Sequence, residues 1–170
     1  GVNMAIHPDD PPWSLMGLPR VVSNIHDAQE LIQHYESANN GLTLCTGSYG
    51  AGHFNDLVDM ADKLSYRINF VHLRNVTRDE DLNFYEDYLF EGDIDMYGVM
   101  KNLVLEEEKR KEQGRADWRI PVRPDHGNQM FSDIGQDNNP GYSLYGRVKG
   151  LAEIRGLEIG IRGGLLKGGN

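Results

Sequence analysis

Four short segments of this chain are runs of apolar or β-branched residues closed off by turn formers: residues 2–6, 42–46, 68–73 and 119–123. Runs of four to six such residues between Gly, Pro, Asn and Asp read as buried strands. Each is followed by a stretch in which apolar residues recur every three or four positions, the spacing that puts them on one face of a helix. After the first run, Ser23 is placed to cap a helix presenting Ile25, Ala28, Leu31, Ile32 and Tyr35. Asn55 is placed to cap a second, with Leu57, Val58, Ala61 and Leu64 inward. A third helix is expected to start near Asp93 or Asp95 and to bury Met96, Met100, Leu103 and Val104. Its charged end, "EEEKRKEQG", reads as a solvated terminus with Gly114 as the stop. A fourth pattern covers residues 143–161, with Tyr145, Val148, Ala152 and Ile159 as core positions, and the glycine-rich tail "RGGLLKGGN" is expected to fray.

Strand and helix in alternation imply a parallel sheet with right-handed crossovers. Two architectures satisfy that pattern, an open doubly wound sheet and a (β/α)8 barrel. No G-x-G-x-x-G follows the first strand and no phosphate-loop signature occurs, which removes the best support for the nucleotide-binding sheet. A whole barrel needs about 250 residues. Four βα units in 170 residues are therefore expected to be half of a (β/α)8 TIM barrel, with residues 1–170 forming one part of a single catalytic domain. Residues 74–95 form a connection longer than usual, rich in acid, which leaves the carboxyl end of the third strand as site-covering loops do.

Composition narrows the function. Hydrophobic residues at 39% and charged residues at 25% are globular values and exclude a disordered or collagen-like chain. With 17 basic against 26 acidic residues the formal charge is -9, which repels a phosphate backbone and argues against nucleic acid as a partner. No apolar run approaches the ~20 residues of a membrane span, and the first residues lack signal-peptide order, so a cytoplasmic protein without a membrane partner is expected. The start on an apolar stretch without Met suggests a fragment.

In a parallel barrel the carboxyl ends of the strands meet at one rim, where the chemistry sits. The four strands deliver His7, Cys45, His72 and Asp125 there, one each. Imidazole, thiolate, imidazole and carboxylate all bind divalent metals, and a mixed nitrogen, sulfur and oxygen set suits zinc, iron(II) or cobalt(II). Alone, each has a plainer explanation: a structural histidine, a core thiol, a turn-forming aspartate. His26, His34 and His53 fall on the first helix or in a loop, away from the rim. His126, next to Asp125, and Tyr142, after the "NPG" turn, are candidates for proton transfer, while a buried phenol is the alternative for Tyr142. Arg74 could grip a substrate carboxylate with its planar fork, or form a salt bridge to the acidic connection beside it.

The stretches "NMAIHPDDPPWSLMGLPR", "GLTLCTGSYGAG", "HLRN", "GDIDMYGVM", "PVRPDHGNQM" and "NPGYSLYGRVKGLAEIRG" closely resemble the carboxyl-terminal half of mannonate dehydratase, over nearly the whole chain. The resemblance implies a barrel similar to xylose isomerase, a lyase that removes water from D-mannonate to give 2-keto-3-deoxy-D-gluconate in glucuronate breakdown, and a homo-oligomer when full-length. It implies His7, Cys45, His72 and Asp125 as ligands to iron(II) or manganese(II), with His126 and Tyr142 as acid and base. On softness grounds iron(II) fits a thiolate ligand better than manganese(II). Without the first half of the barrel, the isolated chain is expected to be inactive or to self-associate through exposed strand edges. Two other readings are a metal-dependent sugar isomerase or epimerase on the same scaffold, and a non-catalytic half-barrel that binds or assembles.

Overall fold

A computed structural model describes residues 2–167, with side chains through residue 165. Its centre is a parallel sheet of β1 (Leu42–Cys45), β2 (Ile68–Leu73) and β5 (Val122–Pro124), in that order. The expected first strand is present as an extended edge segment. It joins β1 by one parallel bridge between Ile6 and Leu42, through Ile6 N–H to Gly41 C=O at 2.9 Å and Thr43 N–H to Ile6 C=O at 2.8 Å. The last strand lies three residues later than its apolar run, because Ile120 is used to fill the core and pairing begins at Val122. Along the sheet, the order of the segments follows the order of the chain.

The register sets the chemistry. Cys45 lies opposite His72, and His72 opposite Arg123. Paired residues on parallel neighbours share a face, so these three side chains stand on one side of the sheet. Leu44, Val71 and Leu73 alternate to the other side and are buried in the core formed with the helices.

Helix α1 (Ile25–His34) is capped by Asn24, whose side-chain oxygen accepts from the N–H of His26 and of Asp27. Ser23, the expected cap, instead donates its backbone N–H to the Asp27 carboxylate at 2.9 Å. Tyr35 ends the helix exposed, so its burial fails because it lies at the C-cap in extended geometry. Helix α3 (Leu57–Leu64) is capped by Asp56, and Asn55 is buried one residue earlier, donating to the carbonyls of Ser23 and Tyr49. Between β1 and α3 runs a short helix, α2 (Thr46–Gly50), that no periodicity announced.

Helix α4 (Met96–Glu112) starts at the Asp95 cap, and Gly114 takes a left-handed φ of +69° just past its end. Its charged end is solvated only in part: Lys109, Lys111, Glu112 and Gln113 are exposed as expected, whereas Glu106, Glu107 and Arg110 are buried. Arg110 is 1% exposed and donates to the carbonyls of Ser65 at 2.6 Å and Ile68 at 3.0 Å and to Glu106 at 2.9 Å. Glu107 accepts the N–H of Ile120 at 2.8 Å. These charges satisfy backbone groups at the base of the sheet that would otherwise be buried without partners.

Helix α5 (Leu144–Lys167) extends beyond the expected end, so the tail is helical through Lys167, and residues 168–170 lie outside the described residues. It turns a different face inward. Tyr145, Val148, Ala152 and Ile159 are exposed, whereas Gly146, Gly150, Ile154 and Ile161 are buried. Backbone packs directly on backbone here: a Cβ on Gly146 would collide with the carbonyl oxygen of Asn128, and one on Gly150 would press against Pro124 at 3.0 Å. The connection at residues 74–95 is not structureless, since it folds into an antiparallel hairpin of β3 (Val76–Arg78) and β4 (Phe84–Glu86). No described helix is long and apolar enough to cross a membrane.

Candidate metal centre

Three donors converge at the carboxyl ends of the edge segment, β1 and β2. One ligand atom each of His7, Cys45 and His72 lies within 4.8 Å of the others. His7 Nε2 is 3.3 Å from His72 Nδ1. His7 Nδ1 is 2.7 Å from the carbonyl oxygen of Pro8. A carbonyl only accepts, so Nδ1 carries the proton and Nε2 presents its lone pair towards the cluster. Metal-binding histidines are held in this way, with the outer nitrogen tied to a carbonyl.

Asp125 follows β5 and reaches two of the three, with Oδ2 3.6 Å from Cys45 Sγ and Oδ1 3.6 Å from His72 Nδ1. Arg123 lies 3.3 Å from the same carboxylate. Burial pushes the His72 imidazole down to about 4, with Asp125 acting against the shift, so at neutral pH the ring is uncharged and its contact with Asp125 is not an ion pair. Burial likewise pushes the Cys45 thiol up to about 11, although Ser48 Oγ, 3.0 Å from sulfur, works to lower it. Burial therefore favours the uncharged form of both groups, the imidazole with a free lone pair and the thiol with its proton, and a divalent cation held here would take that lone pair and displace the thiol proton. The donor set fits a borderline-soft divalent ion.

His126 and Tyr142 meet beside this cluster. Their rings pack edge to face with centroids 5.4 Å apart. The turn before Tyr142 depends on Gly141, at φ +80°, whose carbonyl accepts from Gly127 N–H at 2.8 Å. Tyr142 is 54% exposed, so the buried-phenol alternative does not hold among the described contacts. A cleft of about 380 Å³ opens between them, lined also by Glu86, Asn128, Gln129 and Glu153. His126 is held above the usual imidazole range, first by pairing with Glu86, while burial opposes it and Asp125 adds to it. Burial acts to raise the Glu86 carboxyl, but His126 and Arg74 outweigh it and keep it below the usual carboxylate range.

Arg74 is 8% exposed, with its guanidinium 2.5 Å from both Asp10 and Glu86. Of its two expected roles, the salt bridge to the acidic connection is the one its position serves. Glu86, Ser48 and Asp10 are residues of the site that sequence reasoning missed. Glu86 stood among seven other acids in residues 79–95 with nothing to single it out, whereas Asp10 in "HPDD" lay three residues from His7 and was within reach of a closer reading.

The model of the D-mannonate dehydratase family, UxuA, matches residues 1–165. The chain belongs to the D-mannonate dehydratase family. It is 50% identical over 161 residues to a mannonate dehydratase of Rhizobium meliloti strain 1021, covering 93% of this chain and 40% of that protein. It is 54% identical over 157 residues to mannonate dehydratase 2 of Agrobacterium fabrum, covering 92% and 39%. The crystal structure of mannonate dehydratase from Streptococcus suis serotype 2 superposes with a TM-score of 0.81 at 39% identity, over 95% of this chain and 44% of that one. The chain thus spans about two fifths of the length of the curated mannonate dehydratases it matches.

Proposed function

We propose that this chain is the carboxyl-terminal part of a (β/α)8 barrel that removes water from D-mannonate, giving 2-keto-3-deoxy-D-gluconate. The convergence of His7, Cys45 and His72 carries the reading, with Asp125 in contact with two of them. Sheet order supports the barrel: segments added in chain order along one direction suit closure into a ring, whereas a doubly wound sheet reverses direction at a switch point.

His7, Cys45, His72 and Asp125 would hold iron(II) or manganese(II), iron(II) being the better match to sulfur. The ion supplies Lewis-acid compensation for the negative charge that develops next to the substrate carboxylate when the C2 proton leaves. Tyr142, as the phenolate, takes that proton at its oxygen. His126, which keeps its proton more firmly than an ordinary imidazole, gives one to the departing C3 hydroxyl. The enol that remains becomes the 2-keto acid by taking a proton at C3. Arg74 and Glu86 hold His126 from behind, and the edge-to-face packing keeps the two proton-transfer groups on one cleft.

The test is made on the enzyme in which this segment is joined to the rest of the barrel. One equivalent of metal and formation of a 2-keto-3-deoxy acid from D-mannonate are expected, and Cys45→Ser and Asp125→Asn should lose both together. Product that keeps all its oxygens would instead indicate an isomerase or epimerase. Variants that keep full activity without bound metal would refute the reading.

A further inference from the structure

His126 Nδ1 is shielded from solvent and makes no well-formed hydrogen bond. Glu86 Oε2 faces it at 3.5 Å, the nearest carboxylate oxygen the structure pairs with it. The other oxygen of the same carboxylate is taken by Arg74, at 2.6 Å from Nε and 2.5 Å from Nη2. Arg74 cannot drift away. Thr46 Oγ1 accepts from its backbone N–H at 2.9 Å and donates to its carbonyl at 2.7 Å, and Asp10 Oδ2 receives Nη1 at 2.5 Å. Glu86 is fixed as well, since it ends β4 opposite Val76.

We propose that Glu86 is a positioning residue for His126: clamped on one oxygen by Arg74, it holds the imidazole proton on Nδ1 and leaves Nε2 as the nitrogen that exchanges protons with substrate. An acidic hairpin on the protein surface thereby acquires a role in selecting the imidazole tautomer. The geometry makes a sharp distinction between substitutions. A guanidinium only donates, so in Glu86→Gln the amide oxygen must face Arg74 and the amide NH2 must face His126. Nδ1 then has to accept, and the proton moves to Nε2. In Glu86→Ala, Nδ1 has no partner and neither tautomer is preferred.

The inference rests on the dehydratase reading for its kinetic arm only. Nitrogen-15 NMR of histidine-labelled, zinc-loaded enzyme, with the His126 signals assigned by their disappearance in His126→Gln, should show the neutral ring protonated at Nδ1. Glu86→Gln should show it at Nε2, and Glu86→Ala a mixture. With D-mannonate, Glu86→Gln should lower kcat at least about tenfold and leave KM within about twofold, since proton transfer and not substrate binding is disturbed. Wild-type signals in both Glu86 variants would overturn the proposal, as would a rise in KM at unchanged kcat, the mark of a substrate contact. Enzyme that never turns over D-mannonate would sink the dehydratase reading, and the NMR arm would still decide the role of Glu86.

Discussion

Single residues carry more of this fold than their type suggests. Arg110 is a charged group in the least accessible class of positions, and it survives there because three carbonyls and Glu106 take its protons. Replacing it by Ala should cost about 3–5 kcal/mol in chemical denaturation, because Glu106 and the carbonyls are then buried without partners. The ion pair of Arg115 with Asp117 makes a contrast at the surface. Arg115 holds the Asp117 carboxyl down to about 2. A depressed folded value gives stability that is complete above the ordinary 3.8 and is lost as pH falls towards 2, so wild type should lead Asp117→Asn at pH 6 and lose that lead by pH 2. The lead is under about 1 kcal/mol, since the pair is solvated. Of the candidate site, the gathering of His7, Cys45, His72 and Asp125 was legible because each ends a strand pattern. Arg110 was not, since a charged run on a helix reads alike whether its protons go to water or to carbonyls.

Among the elements, α5 best separates pattern from packing. Its apolar residues predict one inner face and its glycines occupy another, because closeness of backbone to Asn128 and Pro124 counted for more than side-chain burial. Gly146→Ala should therefore destabilise by about 1–3 kcal/mol in thermal or urea unfolding, through overpacking against backbone. Gly156→Ala, where a new methyl meets open space, should stabilise by about 0.5–1 kcal/mol through helix propensity alone. The same helix period that made α1, α3 and α4 readable misled here, since hydrophobicity scales give glycine no inward preference. Caps fell one residue from their expected places in α1 and α3 because two polar residues stand side by side in each case, Ser23 with Asn24 and Asn55 with Asp56, and only tertiary partners decide between them. The β3–β4 hairpin was illegible for a related reason: its strands are three residues each, too short for alternation to register.

At the scale of the molecule, chain order along the sheet leaves β5 and the segment before β1 as outer strands, with Phe70 only half-buried on the face that bears His72. Unpaired edges and a partly bare face associate unless covered. On the proposed half-barrel reading, the 170-residue chain by itself should therefore sediment as dimers or larger species and show no dehydration of D-mannonate, and joining it to a segment that completes the proposed barrel should give both a defined size and turnover. The parallel alternation was readable from the start because strand and helix periods differ so plainly, but which surfaces stay bare depends on partners that a pattern of residues does not contain. One such surface has a dynamic meaning. The segment that brings His7 pairs with the sheet at one bridge, Ile6 with Leu42, and is otherwise held by Met4 N–H on the Asn39 carbonyl, Thr43 Oγ1 on the Ala5 carbonyl and Asn69 Nδ2 on the Met4 carbonyl. Its release would remove one of the donors while β1, β2 and β5 stay paired, so ion capture and docking of this edge form one equilibrium. Adding metal should accordingly slow deuterium uptake at the amides of Ile6 and Thr43, and leave uptake in the middle of β2 as it was.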